Sequence, residues 1–200
     1  MIEFERHIEF YKLYWYQEFS RITPKNKWGN QKSAKDYLQK YWLPEQEYLS
    51  YWKPIQDKIF VQDKDLPELI YYSEFEIIVA NGGCLFTKEN FLQLQKAIQE
   101  VEEKFFIVVQ NVQEYTNEEP MFRMKFPVSI TWSEITSGIY ISSILLEMNY
   151  NEYFVFGESG KWGKYSATDY VRPLDIIGFK QELSSFFQEQ FTQRQKYPTY

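Results

Sequence analysis

Cysteine and histidine are almost missing from this chain: among 200 residues there is one of each, Cys84 and His7. A lone cysteine excludes an intramolecular disulfide and a cysteine zinc site, and nothing marks an oxidising compartment. Its default role is that of a small buried thiol. One imidazole is too few for a nitrogen-rich transition-metal centre, which leaves only an all-oxygen Mg²⁺ or Ca²⁺ site. No acidic loop has the EF-hand spacing with its mid-loop glycine, so no metal and no cofactor is expected. A Ser-His-Asp or Cys-His scheme would have to bring His7 to a nucleophile far along the chain, and nothing local supports it.

Long apolar runs and a basic surplus are lacking too. The longest uncharged run, Ile135 to Leu146, has 12 residues, where a bilayer span needs about 20. Met1-Ile-Glu-Phe-Glu-Arg-His is charged where a secretory leader needs an apolar core, so a cytoplasmic protein is expected. The net charge of −6 and pI near 5.0 argue against nucleic acid and anionic membranes as partners, because both want a basic field. Locally the balance swings: Arg21 to Lys40 carries a net +5 and Glu100 to Glu119 a net −5. Each run reads first as a solvated helix face, and a dimer or partner contact between opposite patches is the alternative.

Aromatic residues are what the chain has in excess, with 17 Tyr, 17 Phe and 6 Trp making up 20% of it. Such a composition excludes intrinsic disorder. Most of the rings are expected in or beside the core, but Tyr and Trp also favour contact surfaces, and some are expected there.

Phe4, Ile8, Tyr11, Trp15, Phe19 and Ile22 recur at helical steps until Thr23-Pro24 ends the pattern, which predicts a first helix. Ser33 with Asp36 suits the start of a second, running to about Trp42. Pro44 opens a third whose inner face is Tyr48, Tyr51 or Trp52, Ile55 and Ile59, with a kink or break near Lys53 imposed by Pro54. Residues 1–60 are thus read as a mainly helical N-terminal layer and 75–200 as the sheet-containing part of the same domain. An acidic, proline-containing connector spans Val61 to Glu74. Phe75 to Ala80 reads as a strand, and Thr87 caps a helix from Lys88 to about Glu103 with Phe91, Leu94, Ile98 and Val101 inward.

Phe105 to Val109 predicts a strand buried on both faces. Phe122 to Phe126 alternates as a strand with Pro127 ending it or marking an edge. Trp132 to Thr136 suits a helical turn and Ile139 to Met148 a strand. Tyr153 to Phe156, Gly157-Glu-Ser-Gly160 and Trp162 to Ala167 read as a hairpin, with Gly157 and Gly160 supplying positive φ. Trp162, Lys164 and Ser166 should face one side and Gly163, Tyr165 and Ala167 the other. Pro173 breaks the pattern, Gly178 releases the chain, and a last helix runs from about Gln181 to Gln193 with Leu183, Phe186, Phe187 and Phe191 inward. The fold class expected is α+β: N-terminal helices packed on a mainly antiparallel sheet of about four to six strands, with a C-terminal helix.

For chemistry, Gly157-Glu-Ser-Gly160-Lys161-Trp162 has glycines too close together for a phosphate loop, lacks its Ser or Thr, and joins two strands rather than a strand and a helix. Paired carboxylates remain the acid–base option, with Glu134, Glu147, Glu158, Asp169 and Asp175 the candidates beside aromatics; a glycan hydrolase of this type is the alternative reading. Chance alone places such pairs among 28 acids.

The tail has an apolar strand, Gly157-Glu-Ser-Gly160, Lys161-Trp162-Gly163-Lys164-Tyr165, and then Pro173-Leu-Asp-Ile-Ile-Gly-Phe179 before a terminal helix. Over about the last 50 residues this resembles small cytoplasmic bacterial immunity proteins and their SMI1/KNR4-like relatives. The resemblance implies an acidic, non-catalytic protein that binds and neutralises a toxin. An acidic surface suits a basic partner, and Trp and Tyr are favoured interface anchors. The candidate binding residues are Glu158, Lys161, Trp162, Lys164, Tyr165 and Asp169. A protein partner is expected, without nucleic acid or membrane, and a homo-oligomer is compatible with the same reading. A structural or oligomeric protein is the bland alternative.

Overall fold

The computed structural model describes residues 31–61, 70–79, 85–111, 122–136, 152–167 and 174–191. The expected first helix, His7, Cys84, the Ile139 to Met148 segment, Glu147 and Asp169 lie outside the described residues. Helix α1 (Gln31–Tyr41) leads into a helical stretch of three pieces: α2 (Glu45–Glu47), a π-helical turn (Tyr48–Trp52) and α3 (Lys53–Ile59). Then come β1 (Phe75–Val79), α4 (Lys88–Glu100), β2 (Phe105–Asn111), β3 (Arg123–Pro127) and α5 (Trp132–Ile135). The described chain closes with β4 (Glu152–Gly157), β5 (Trp162–Ala167), β6 (Leu174–Lys180), a 3-10 turn (Gln181–Leu183) and α6 (Ser184–Phe191). No helix among the described residues is long and apolar enough to cross a membrane.

The strands form one six-stranded sheet in the order β1-β6-β5-β4-β2-β3. Every neighbouring pair is antiparallel, and the fold is α+β. Alternation along β2 shows how the sheet divides two cores: Phe106 and Val108 enter one, Ile107 and Val109 the other, as the period of two requires. Thr87 caps α4 by accepting the Asn90 N–H. Phe91, Leu94 and Ile98 of α4 and Phe187 and Phe191 of α6 fill the first core. There Phe187 stacks on Phe179 with centroids 4.9 Å apart. Gathering these rings away from water stabilises the layer by about 2 kcal/mol per buried side chain.

The N-terminal helices are not one layer. Tyr37, Leu38 and Tyr41 of α1 join the first core, whereas Tyr48, Trp52, Ile59 and Phe60 pack on the opposite face. The chain passes between faces around the β3 edge, where Trp42 bridges Met124 and the Leu43 N–H donates to the Arg123 carbonyl at 3.1 Å. The Arg123 guanidinium lies there over the Trp42 and Tyr48 rings, 5.8 and 5.7 Å from their centroids. Burial lowers its pKa to about 10.

Pro54 widens its helix instead of breaking it. The Lys53 N–H donates to the Tyr48 carbonyl, five residues back, and the π turn makes room for a ring that would clash with an α-helical carbonyl. The choice between Tyr51 and Trp52 falls to Trp52, fully buried, with Tyr51 50% exposed.

Three boundaries differ from those the sequence predicts. Ser33 is not a cap, because α1 already includes Gln31. Helix α4 stops at Glu100, and Glu102 takes a left-handed conformation (φ 60°) that turns the chain into β2. Gly178 does not release the chain but sits inside β6 opposite Gly163. A Cβ at Gly178 would come within 2.5 Å of the Tyr71 ring, and one at Gly163 within 2.6 Å of the Phe60 ring. The facing glycines leave a bare strip of sheet on which these rings pack, and the Tyr71 hydroxyl lies 3.0 Å from the Gly163 carbonyl and 2.8 Å from that of Ile176.

Candidate functional site

The β4–β5 turn binds an anion, and the anion is the chain's own. Glu103, placed by the left-handed Glu102, accepts the Glu158 N–H at 2.9 Å, the Ser159 N–H at 3.1 Å and the Trp162 indole N–H at 3.0 Å. The Ser159 hydroxyl bonds the same carboxylate. Gly157 does not adopt positive φ as the sequence reading expects; Gly160 does, at 65°. Gly157 serves by lacking a Cβ, which would fall 2.4 Å from the Glu103 carboxyl carbon. A turn of this shape offers backbone N–H groups to a negative charge, and here a side chain fills it.

Of the six candidate binding residues, Lys161 is exposed and Glu158 half-buried in the turn. Trp162, Lys164 and Tyr165 are a correction to the sequence reading: they are buried in β5, which has covered faces on both sides. Trp162 faces the first core against Phe187, with centroids 6.2 Å apart, and Tyr165 faces the second beside Phe154 at 5.5 Å. An indole packed this way cannot anchor a partner without opening the fold.

Lys164 is only 1% exposed, yet its ammonium is fully engaged. It donates to the Leu85 carbonyl at 2.8 Å and the Ser166 hydroxyl at 2.6 Å, and pairs with Asp175. Asp175, opposite Ser166 in the β5–β6 register, also accepts from Ser166 at 3.2 Å and from the Asn90 amide at 3.5 Å. Burial raises its carboxyl above the ordinary value by more than the Lys164 ammonium and these hydrogen bonds lower it.

An open cleft of about 620 Å³ lies beside the hairpin tip. Two ion pairs border it, Lys161–Glu182 and Lys180–Glu74, each at 2.9 Å. The hydrogen bond from Lys180 lowers the Glu74 pKa, and the one from Lys161 lowers that of Glu182. Asp57, Lys58 and a partly exposed Tyr72 complete its charged and aromatic lining. Of the candidate binding residues Lys161 alone lines this cleft. The other charged and aromatic lining residues were missed because they come from α3, the approach to β1, the end of β6 and the 3-10 turn. Their meeting depends on register, with Phe75 paired to Lys180 so that Glu74 reaches the lysine; no local spacing signals it.

The acid–base candidates are dispersed. Glu134 closes the capping box of α5 with Thr131, Asp175 is interior and Glu158 belongs to the turn; none of the three lines the cleft. Among the described residues no three His, Cys, Asp or Glu side chains are grouped to hold a metal ion. No protein-family model matches this chain, and neither a curated protein nor a solved structure does.

Proposed function

We propose that this chain is a non-catalytic protein-binding module whose contact face is the cleft beside the β4–β5 tip. The observation that carries this is the cleft's lining: three lysines, three carboxylates and Tyr72, converging from separate elements on an open surface. Charged groups in such a rim set orientation and association rate, and a partly exposed tyrosine supplies rigid contact area. With a net charge of −6, the protein's field favours a basic partner. In its sharpest form, that partner is a basic toxin domain which this chain neutralises in the manner of an immunity protein.

The test is capture of the partner from the native cell, followed by titration of the purified pair. Glu182→Lys with Tyr72→Ala should weaken binding at least about tenfold, with circular dichroism unchanged, and low salt should tighten it. Unchanged affinity in that variant would overturn the cleft as the contact face. Coexpression that fails to rescue cells from the captured partner would remove the immunity form.

A further inference from the structure

Among the described residues, the two edges of the sheet are treated differently. At β3 the edge is shielded: Trp42 bridges Met124, Leu43 bonds Arg123, and the strand ends in Pro127. At β1, Phe-Glu-Ile-Ile-Val, there is no proline and no lysine, the residues that ordinarily blunt an edge. Ile77 is 54% exposed and Val79 39% exposed on the face they share with Phe75. The strand's one charge, Glu76, is on the other face and is held by the Ser184 hydroxyl at 2.7 Å and the Gln188 amide at 3.4 Å.

We infer that β1 pairs antiparallel with β1 of a second copy of this chain, about a twofold axis through Ile77. The charge pattern excludes the register centred on Glu76, and centring on Ile77 pairs all five residues of the strand. Centred on Ile77, Ile77 meets its own copy, Phe75 meets Val79 and Glu76 meets Ile78, so no carboxylate opposes a carboxylate. Centred on Glu76, two like charges would stand directly opposite, which destabilises a strand pair. A self-complementary surface of this kind is what an isologous dimer requires, and an edge whose only charge is already engaged offers nothing for a basic partner to recognise. A five-residue strand pairing falls short of the roughly 1,200 Å² where stable interfaces begin. The dimer therefore belongs with small, transient contacts and is reversible.

Because each copy carries −6, self-association strengthens with salt, the opposite of the cleft's expected behaviour. This separates the two surfaces experimentally. Sedimentation from about 5 μM to about 1 mM should show the mass rising towards twice the monomer, more so at high salt. Ile77→Lys, at a position exposed enough to leave folding intact, should raise the dissociation constant at least about tenfold. Ile77→Cys in a Cys84→Ser background should cross-link to its own copy under oxidation, where Cys84→Ser alone does not. A wild-type protein that stays monomeric throughout, or a dimer indifferent to Ile77→Lys, would overturn the inference. So would monomeric protein whose binding to a captured partner is abolished by Ile77→Lys, which would give the edge to the partner instead.

Discussion

The Lys164–Asp175 pair supports a sharp prediction, because both side chains are essentially without solvent. Every ammonium proton of Lys164 has a protein acceptor, namely Leu85, Ser166 and Asp175. Replacing Asp175 by leucine strands that ammonium beside the Phe86 ring, 5.4 Å from its centroid. Replacing Lys164 by methionine strands the carboxylate. Each single change should cost about 3–5 kcal/mol, the penalty of an uncompensated buried charge. Making both changes removes the charges together. The Leu85 carbonyl, the Ser166 hydroxyl and the Asn90 amide then lose a partner at about 1 kcal/mol each, and two apolar side chains gain about 1.5–3 kcal/mol each by burial. The double variant should therefore lie within about 2 kcal/mol of the original protein. Urea unfolding followed by tryptophan fluorescence gives the four free energies, provided the m-values agree. A double variant as destabilised as the sum of the singles would refute the reasoning, since the two residues would then act independently.

Two further outcomes follow from the same contacts. Burial raises the phenols of Tyr37, Tyr71 and Tyr165 above their ordinary value, while the buried Arg123 is lowered to about 10. Folded values above unfolded ones mean that the tyrosines' stability is intact below about pH 10 and lost as the pH rises, at about 1.4 kcal/mol per unit for each. Arg123 runs in the opposite sense, leaving a net loss of about 3 kcal/mol per unit and cooperative unfolding between about pH 11 and 13; tyrosinate absorbance that rises smoothly without an unfolding step would contradict it. Glu103→Ala should remove charge-assisted bonds worth about 2–3 kcal/mol in sum, with faster hydrogen exchange at the Glu158 and Ser159 amides but not along β4, and unchanged exchange at the turn would show that Glu103 does not hold it.

Elements whose pattern is local were legible. The Thr87 cap, the Phe91-Leu94-Ile98 stripe, the doubly buried β2 and the β4–β5 hairpin all appear where residue spacing puts them. Each is decided within a few residues by periodicity or a capping hydroxyl. What was not legible depends on where elements meet. Nothing in the sequence around Pro54 distinguishes a kink from a π turn, nor signals that Trp52 packs on Phe156 of the sheet, 6.3 Å between centroids. The division of the N-terminal helices between two faces is fixed by the Trp42–Met124 bridge, which joins residues far apart in the chain.

The hairpin tip shows the same limit at the level of function. Trp162-Gly-Lys-Tyr-Ser-Ala alternates as a half-exposed strand would, with Lys164 and Ser166 on what ought to be the wet side. Strand β5 is central, however, between β6 and β4, and covered on both faces. A lysine on a covered face survives only if a neighbouring strand brings it a carboxylate, and the register sets Asp175 opposite Ser166, two residues from Lys164. Polar residues that looked available for binding are therefore committed to one another, and the turn's N–H groups are committed to Glu103. What remains for a partner beside this tip is the surface where strand ends meet: Lys161 with Glu182, Lys180 with Glu74, and Tyr72. Exchanging the charges of one such pair, Lys161→Glu with Glu182→Lys, preserves its attraction while reversing the pattern shown to a partner. A loss of binding that the exchange does not restore would thus report recognition rather than folding.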